Sequence, residues 1–386
     1  MKVEYSYLLE QFKVEESETK VKYVDLSKQA NVEAILSDIK EVLLKTGQFT
    51  LGQPVADFES RFAKLCKTKY AIGVNSGTDA LILALKALNI GSGDEVITAP
   101  NSFIATAGAI AVTGAKPVFV DVDDEYNIDA DLIEKSITPQ TKAIMPVHLT
   151  GNPADMPRIM EIADKHNLHV IEDACQAVSA LINGKPAGSF GIAGAFSFHP
   201  LKNLNVWGDG GMVTTDSKEL YEKLLLLRNH GLKGRDEVEF FAYNSRLDTL
   251  QAIVANQLLN VLDAITDARI RNAKRYDDAL SDMADYVTIP PRKGNVKQVY
   301  HTYVILAKER DRLGSYLAEK GIETKVHYPI PIHLQKASKY LGYKEGDFPV
   351  CEVQTKSILT LPVHQHLTDD QVEYVIDNIR KFYKEA

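Results

Sequence analysis

Short apolar runs alternate with longer amphipathic segments between residues 70 and 215. The apolar runs are residues 71–74, 96–98, 118–120, 143–147 and 169–171. They are too short for helices and rich in β-branched residues, so we predict that they form buried strands. Between them, residues 78–88 and 155–165 carry apolar side chains at helical spacing. This alternation predicts an α/β fold whose mostly parallel sheet is flanked by helices on both faces.

The second half of the chain has a different pattern. Helices are predicted at residues 218–227, 248–280, 310–320 and 368–383, and strands at 300–306 and 325–328. This mixture predicts a small C-terminal α+β domain. A chain of 386 residues is longer than one hydrophobic core normally supports. We therefore predict an N-terminal arm with a large domain over residues 1–247 and a small domain over 248–386, which share a long helix near residues 248–265.

Composition and charge narrow the classes of partner. With 45% hydrophobic and 25% charged residues, the chain has the composition of a globular protein. A formal net charge of −8 gives no basic field, so we expect neither nucleic acid nor a membrane as a partner. Residues 1–20 lack the apolar core of a signal peptide, which predicts a cytoplasmic protein. Because Cys66, Cys175 and Cys351 are far apart, we expect no disulfide framework and no metal site.

Lys202 and Asp173 carry the most informative chemistry. Asp173 directly follows the predicted strand at 169–171, and Lys202 lies in a loop further along the chain. A lysine amine can bond to the aldehyde of pyridoxal 5′-phosphate (PLP), and an aspartate against the pyridine nitrogen keeps that ring protonated, so that it accepts electrons. Taken singly, each is more often a surface lysine or a helix cap. Together they predict a PLP enzyme with Lys202 and Asp173 as its catalytic residues.

A phosphate site is predicted where the first helix of the sheet begins. Backbone N–H groups at the start of a helix attract phosphate, and Gly77 and Thr78 stand at that start. This sequence could instead be a simple helix cap with no ligand. Ser197 offers a further hydroxyl shortly before the lysine. Phe103 could cover a bound ring or pack in the core, and Gln176 could contact the cofactor's phenolic oxygen or face solvent.

Several motifs resemble those of a known family. They are SGTDAL at 76–81, EDACQ at 172–176, SFHPLKN at 197–203, GDGG at 208–211 and NSRLD at 244–248. Their combination resembles the DegT/DnrJ/StrS-type PLP-dependent sugar aminotransferases over residues 23–382. The resemblance implies the aspartate-aminotransferase fold, called PLP fold type I, and a homodimer with active sites at the subunit interface. The chain departs from the family pattern at Cys175, Ser179 and Trp207, where alanine, glycine and tyrosine are common.

The resemblance also implies roles for individual residues. Lys202 corresponds to the lysine that bonds to PLP, Asp173 to the partner of the pyridine nitrogen and Gln176 to the contact of the phenolic oxygen. Residues implied to hold the cofactor are Gly77, Thr78, Phe103, Asp173, Gln176, Ser197, Lys202 and Asn244, the last reaching over from the other subunit. Residues implied to border the sugar are His327, Tyr328 and His333.

The activity implied by the resemblance is amino transfer from L-glutamate, which becomes 2-oxoglutarate, to a nucleotide-linked keto-sugar in amino-sugar biosynthesis. Residues 202–204 followed by Asp209 are similar to members that act at C-3, so the expected acceptor is a 3-keto-6-deoxyhexose. Amination at C-4 and a PLP-binding regulator without turnover stay open as alternatives. A sugar dehydratase is disfavoured because such enzymes carry histidine in place of Lys202. A nicotinamide dehydrogenase is disfavoured because no GxGxxG motif follows a predicted strand.

Overall fold

A seven-stranded sheet forms the centre of the large lobe. The computed structural model describes residues 19–385. The strands of the first part of the chain are β1 (Tyr70–Val74), β2 (Glu95–Thr98), β3 (Lys116–Phe119), β4 (Thr141–Ile144), β5 (His169–Asp173), β6 (Leu181–Ile182), β7 (Lys185–Pro186), β8 (Ala193–Ser197) and β9 (Gly211–Thr215). The sheet order is β1-β9-β8-β5-β4-β2-β3, and only β9 runs antiparallel to its neighbours. The predicted α/β fold with a mostly parallel sheet is confirmed.

Helices pack on both faces of this sheet. Those up to residue 259 are α1 (Val32–Lys45), α2 (Gln53–Cys66), α3 (Gly77–Ala87), α4 (Ile104–Val112), α5 (Ala130–Ile133), α6 (Met156–His166), α7 (Lys218–Leu227) and α8 (Thr249–Leu259). Neighbouring residues of β8 belong to different buried clusters. Phe196 packs with residues of α2 and α8, whereas Ala195 packs with residues of α3 and α7. Because side chains alternate along a strand, the two clusters lie on opposite faces of the sheet.

Helix α3 begins at the carboxyl end of β1, where a polar cap fixes its first turn. The Oγ of Ser76 accepts a hydrogen bond from the backbone N–H of Asp79 at 3.0 Å. Leu81 and Leu85 are fully buried against the sheet. Asn89 follows the helix with a left-handed φ of 58° and ends it. The cap and the apolar stripe together place the start of α3 at the edge of the sheet where strands β1, β5 and β8 end.

The predicted helix over residues 248–280 is wrong in one respect, because the chain breaks it into two. Helix α8 ends at Leu259, and α9 (Leu262–Leu280) begins after Val261. At the break, Val261 departs from helical geometry with φ −118° and ψ 6°, and the Oδ1 of the preceding Asn260 accepts a hydrogen bond from Arg61 Nη2 at 2.7 Å. Leu258 before the break packs in the large-lobe core, whereas Tyr276 beyond it packs in the core of the small lobe. The domain boundary at 247/248 stays a prediction.

The small lobe is built on a three-stranded sheet in the order β10-β12-β13. Its remaining elements are β10 (Val287–Thr288), β11 (Val296–Lys297), β12 (Tyr303–Ala307), α10 (Arg310–Glu319), α11 (Pro349–Ser357), β13 (Ile358–Leu361) and α12 (Asp369–Glu385), with β11 paired to β6. The predicted strand at 325–328 is wrong. Only Lys325 pairs with β13, through two backbone bonds with Thr360 of 2.8 and 3.1 Å. The prolines at 329 and 331 have no N–H to continue a ladder.

Residues 19–385 contain neither a membrane-spanning helix nor a cluster of metal-ligating side chains. None of the helices there is both long and apolar enough to cross a membrane. That part of the chain also places no group of three or more His, Cys, Asp or Glu side chains where they could hold a metal ion. The cytoplasmic location expected from the sequence stays a prediction.

Candidate active site

Asp173 ends β5 as a buried, oriented carboxylate. It is 5% exposed. Its Oδ2 accepts a hydrogen bond from Thr106 Oγ1 at 2.7 Å, and its Oδ1 accepts one from the backbone N–H of Cys175 at 3.2 Å. Thr106 Oγ1 lies 2.5 Å from Ser102 Oγ, which extends the network into α4 and the residues before it. A carboxylate can accept more bonds than these, so Asp173 is fixed in place with capacity left for a protonated ring nitrogen.

Lys202 lies in the loop after β8, where its amine is desolvated. Its backbone N–H donates to the carbonyl of His199 at 2.8 Å, and Asn205 Nδ2 donates to its carbonyl at 3.1 Å, so the loop is held at both ends. Within residues 19–385 the Nζ makes no hydrogen bond or ion pair. Burial lowers the pKa of Lys202, opposed in part by the nearby Cys175 and Asp173. A lowered pKa leaves more of the amine uncharged, which is the form that attacks an aldehyde.

Glu172, next to Asp173 in the strand, points to the opposite side and braces the loops behind the site. It is fully buried. Its carboxylate accepts bonds of 2.6 to 3.0 Å from His148 Nε2 and from the backbone N–H groups of Gly188, Phe190 and Gly191. Because neighbouring strand residues face opposite sides of the sheet, the Asp173 carboxylate faces the site, whereas the Glu172 carboxylate stabilises the loops behind it.

His148 directly follows a predicted strand, and the structure gives it a supporting role through Glu172. Its Nδ1 accepts a hydrogen bond from the backbone N–H of Ala154 at 3.1 Å, so the proton is on Nε2 and is donated to Glu172. His148 is fully buried, so a ligand in the cleft beside Asp173 and Lys202 cannot contact it. The signal that could have found this pair is the alternation along β5, which puts Glu172 on the face away from Asp173.

The start of α3 forms a close-packed cradle for a phosphate. A Cβ at Gly77 would lie 2.6 Å from Ser197 Cβ and 2.8 Å from Cys175 Sγ, so only glycine fits there. The N–H groups of Gly77 and Thr78, in the first turn, have no acceptor within the helix. With the helix dipole they favour an anion at this point. The cap at Ser76 and the phosphate site, which the sequence left as alternatives, are therefore compatible with each other.

Gln176, Tyr328 and Phe103 form one wall of the cleft. Gln176 Oε1 accepts a hydrogen bond from the backbone N–H of Thr150 at 2.7 Å, which fixes the amide. Burial raises the pKa of the neighbouring Tyr328 hydroxyl, opposed in part by the side chain of Gln176. The ring of Phe103 is 53% exposed and its centroid lies 5.8 Å from that of Tyr328. Phe103 is therefore available to cover a planar ring instead of being used in the core.

His327 and His301 lie near Lys202 as uncharged imidazoles. His327 Nδ1 is 3.0 Å from Thr360 Oγ1. Burial, with the positive charges of Lys202 and Lys325, lowers the pKa of His327 to about 4. Burial and the charge of Lys202 also lower the pKa of His301 well below its usual value, and its buried Nδ1 has no partner among residues 19–385. His327 was predicted as a site residue. His301 was not, because it lies in the segment predicted as a strand and belongs to no motif.

Two of the predicted site residues lie apart from this group within one chain. His333 is 2% exposed, and its Nε2 is 3.0 Å from Glu352 Oε1. Its ring packs edge-on against Phe348 with centroids 4.7 Å apart, and Nδ1 has no partner among the described residues. Asn244 is exposed on the segment 229–244, where its backbone pairs with Asn229. Whether either residue meets a ligand stays a prediction.

The comparison with protein families decides the identity. The family described as DegT/DnrJ/EryC1/StrS aminotransferase matches residues 29–380. The chain belongs to this family. The predicted family membership is therefore confirmed, and so is the prediction of an aminotransferase. The match includes Lys202, Asp173 and every other residue proposed above for the cofactor, and it runs through the small lobe to α12.

Known relatives match along nearly the whole chain. The "Pleiotropic regulatory protein" of Geobacillus stearothermophilus is 43% identical over 94% of this chain and 99% of its own length. The "dTDP-3-amino-3,4,6-trideoxy-alpha-D-glucose transaminase" of Streptomyces venezuelae is 41% identical over 88% of this chain and 90% of its own. Among solved structures, that of S. venezuelae DesV in complex with a ketimine intermediate is 40% identical, covers 94% of this chain and 98% of its own, and superposes with a TM-score of 0.89.

PLP is the cofactor of this family and the residues of the cleft fit it. Other similar solved structures were determined with PLP or its amino form, pyridoxamine phosphate, bound. The Gly77 cradle with the free N–H groups of α3 suits the phosphate, Asp173 suits the pyridine nitrogen, and Lys202 suits the aldehyde. When bound, PLP supplies an electron-accepting ring that stabilises negative charge on the carbon next to a substrate nitrogen.

Proposed function

We propose that this aminotransferase moves the amino group of L-glutamate to a nucleotide-linked 3-keto-6-deoxyhexose, in amino-sugar biosynthesis. The observation that carries the proposal is the convergence of Asp173, Lys202 and the Gly77 cradle at one edge of the sheet. These groups provide what amino transfer requires: a carboxylate for the ring nitrogen, a desolvated amine and an anion site. The acidic chain, of net charge −8, needs such local cationic and N–H groups to attract anionic substrates.

In this proposal Lys202 carries the proton during the reaction. Its Nζ is bound by no other side chain within residues 19–385, so it can accept a proton from the donor's Cα and return one to the acceptor carbon. Its lowered pKa suits both steps, since an amine with an ordinary pKa would stay protonated at neutral pH. Glutamate leaves as 2-oxoglutarate in the first half, and the amino-sugar leaves in the second.

Visible absorption spectra test whether the protein catalyses amino transfer. Glutamate should convert the spectrum of the holoenzyme from that of PLP to that of pyridoxamine phosphate, and a keto-sugar should restore it. A regulator that only binds PLP is the second candidate, because one relative has a regulatory name. The presence of both Lys202 and Asp173 in bonding positions favours catalysis over that alternative. A spectrum that glutamate leaves unchanged would favour the regulator.

Amination at C-3 is supported by the name of a relative. The name of the S. venezuelae relative places its amino group at C-3 of a 6-deoxy sugar. The test offers matched 3-keto and 4-keto nucleotide sugars and locates the new amine by NMR. Amination of the 4-keto compound alone would overturn the proposal.

We also propose that the working unit is a homodimer in which Asn244 serves the partner's site. Asn244 is exposed, and its side chain forms no hydrogen bond with any of residues 19–385. On the same segment Phe241 is fully exposed, Val238 is 50% exposed and Tyr243 41% exposed. Apolar side chains in a contiguous exposed group favour burial against another protein surface. A second copy of this chain places Asn244 at an interface instead of in solvent.

Mixing two inactive variants tests this arrangement. Lys202→Ala removes the amine, and Asn244→Asp sets a negative charge against the cofactor phosphate. If Asn244 acts across the interface, refolding the two variants together should restore activity, because one site of each mixed dimer then has Lys202 from one subunit and Asn244 from the other. If Asn244 serves its own chain, the mixture stays inactive. Light scattering of the mixture checks that dimers are present.

A further inference from the structure

Arg269 of α9 is a buried cation without a carboxylate partner. It is 3% exposed. Arg228, the other buried arginine among residues 19–385, pairs with Glu59. Arg269 forms no ion pair with any residue from 19 to 385. A buried charge that lacks a counter-charge is costly, so this position calls for an anion from outside the described chain.

The hydrogen bonds of Arg269 leave part of its guanidinium unused. Nε donates to Gln365 Oε1 at 3.1 Å, and Nη1 donates to the carbonyls of Tyr300 and His301 at 3.1 and 3.2 Å. All three acceptors are neutral. Nη2 carries further N–H donors and bonds to none of residues 19–385. Burial lowers the pKa of Arg269 to about 10, so the side chain stays charged at neutral pH.

Arg269 and Lys202 line the same small cavity. Its volume is about 40 Å³, enough for about three waters or for one carboxylate group. His364 and His366 also line it, and burial lowers the pKa of both, to about 4 for His364. These imidazoles are therefore neutral at pH 7, and the basic side chains that line the cavity are those of Arg269, Lys202 and Lys28.

Asp25 is the one acidic residue among those that line this cavity. Its Oδ1 lies 3.3 Å from Lys22 Nζ and its Oδ2 lies 3.7 Å from Lys28 Nζ, so each carboxylate oxygen faces a lysine. A hydrogen bond from Ser27 Oγ at 2.6 Å adds to these. The acid is thus neutralised at the outer wall of the cavity, and the charge of Arg269 is not cancelled by it.

We propose that this cavity binds a carboxylate of the amino donor, and that Arg269 is the residue that recognises it. The inference rests on the proposed function, and it adds the element that selects the donor. An amino acid that exchanges its amine at Lys202 must bring a carboxylate within a few bond lengths of Nζ, and Arg269 lies on the same cavity. The free N–H donors of Nη2, on a charged guanidinium in a desolvated place, can form a charge-assisted hydrogen bond to a carboxylate.

The test measures binding of glutarate, a dicarboxylate without an amine, to the holoenzyme by calorimetry. Arg269→Gln should weaken the binding about 10- to 100-fold, the range expected for a lost charged hydrogen bond. Arg269→Lys keeps the charge and should weaken it less. Arg271→Gln is the matched control, because Arg271 is exposed on the same helix and its loss should leave the affinity unchanged. If Arg269→Gln does not fold, a loss of glutarate affinity in Arg269→Lys decides the question.

Binding of a nucleoside diphosphate and of PLP separates this role from a structural one. Arg269 also holds the carbonyls of Tyr300 and His301, so a merely structural residue would weaken glutarate, the nucleotide and PLP together. That result, or an unchanged glutarate affinity in Arg269→Gln, overturns the proposal. Loss of glutarate binding alone supports it. If glutarate binds through Arg269 and no keto-sugar is aminated, the carboxylate site stands and the proposed acceptor is wrong.

Kinetic assays with two different amino donors identify which carboxylate of the donor Arg269 binds. If Arg269 holds the carboxylate of the donor side chain, Arg269→Gln should slow the reaction with L-glutamate and leave that with L-alanine unchanged. If it holds the α-carboxylate, both should slow equally. Either outcome supports a carboxylate site at Arg269.

Discussion

The two sides of the cleft are built in different ways. On the side of the large lobe, Asp173, Ser197 and Gly77 stand at the ends of regular elements, and the sheet fixes their spacing. On the side of the small lobe, residues 325–334 form almost no ladder, and their side chains are placed by single contacts such as that of His327 with Thr360. The geometry of the large-lobe side is fixed by the sheet and its helices. The geometry of the small-lobe side depends on individual side-chain contacts. Substitutions there can change substrate preference without disturbing the cofactor site.

The largest effect is expected at Lys202, on the regular side. Lys202→Ala should lower turnover by about 10³-fold or more, because the variant lacks both the group that bonds to PLP and the proton carrier. Steady-state kinetics and the visible spectrum measure this, with circular dichroism as the control for folding. Retained turnover would show that the sheet edge is not the catalytic side.

Asp173→Asn should lower turnover by about 10²- to 10³-fold, since a neutral amide no longer favours a protonated ring nitrogen. Thr106 and the backbone of Cys175 can still bond the amide, so the fold should be preserved. The measurement is kcat with saturating glutamate, alongside PLP affinity. Glu172→Gln is the contrasting variant, and there the loss should be mainly of stability because Glu172 faces away from the cleft.

A substitution at His333 tests whether the small-lobe side of the cleft contacts the substrate as far along the chain as residue 333. His333→Leu removes the partner of a buried Glu352 oxygen and should lower the free energy of unfolding by about 1 to 3 kcal/mol. Urea unfolding measures the loss, and KM for the sugar is measured at a temperature where the variant is folded. A raised KM with unchanged stability would mean that His333 contacts the sugar, as the family resemblance implies.

Tyr328 is expected to contact the substrate from the same segment. Tyr328→Phe removes a hydroxyl near Gln176 and should raise KM for the sugar by about 5-fold, the effect of losing one neutral hydrogen bond to the substrate. Tyr340→Phe is the control, because Tyr340 is 67% exposed and belongs to no part of the cleft described here. Equal KM values for Tyr328→Phe and the wild type would remove that hydroxyl from the binding surface.

The smallest effect concerns the pH dependence of stability through His327. Its pKa is about 4 in the folded chain and near 6.5 when unfolded, so the unfolded state binds the proton first as the pH falls. The free energy of unfolding should therefore decrease as the pH is lowered from 6.5 towards 4. His327→Gln should reduce that decrease by on the order of 1 kcal/mol. Urea titrations at pH 7 and pH 4.5 measure it, and parallel curves for both proteins would contradict it.

Sequence reasoning worked best where local pattern and global topology coincide. The apolar runs form strands as predicted, and Asp173 and Gly77, at or just after the ends of two of them, lie at one edge of the sheet. The motif around Lys202 supplied the chemistry. Reasoning failed where the geometry depends on contacts distant in sequence. The helix predicted over 248–280 breaks at Val261, next to the contact of Asn260 with Arg61, and the strand predicted at 325–328 is irregular backbone next to Pro329.

The residues that the sequence could not reveal are those whose importance comes from burial. Arg269 looks like one of several arginines on an amphipathic helix, and only the fold shows that it is enclosed and unpaired. His148 and Glu172 likewise become a pair only when neighbouring strands bring them together. No periodicity in a single sequence distinguishes such positions from solvated ones.

Borohydride reduction of the holoenzyme followed by peptide mapping tests the central claim most directly. The reagent fixes the cofactor on the lysine to which it is bonded. The account predicts that the label appears on Lys202 alone, in the peptide after β8, and that prior treatment with glutamate prevents the labelling. A label on Lys185, or on any other lysine, would contradict the assignment of the sheet edge as the catalytic side.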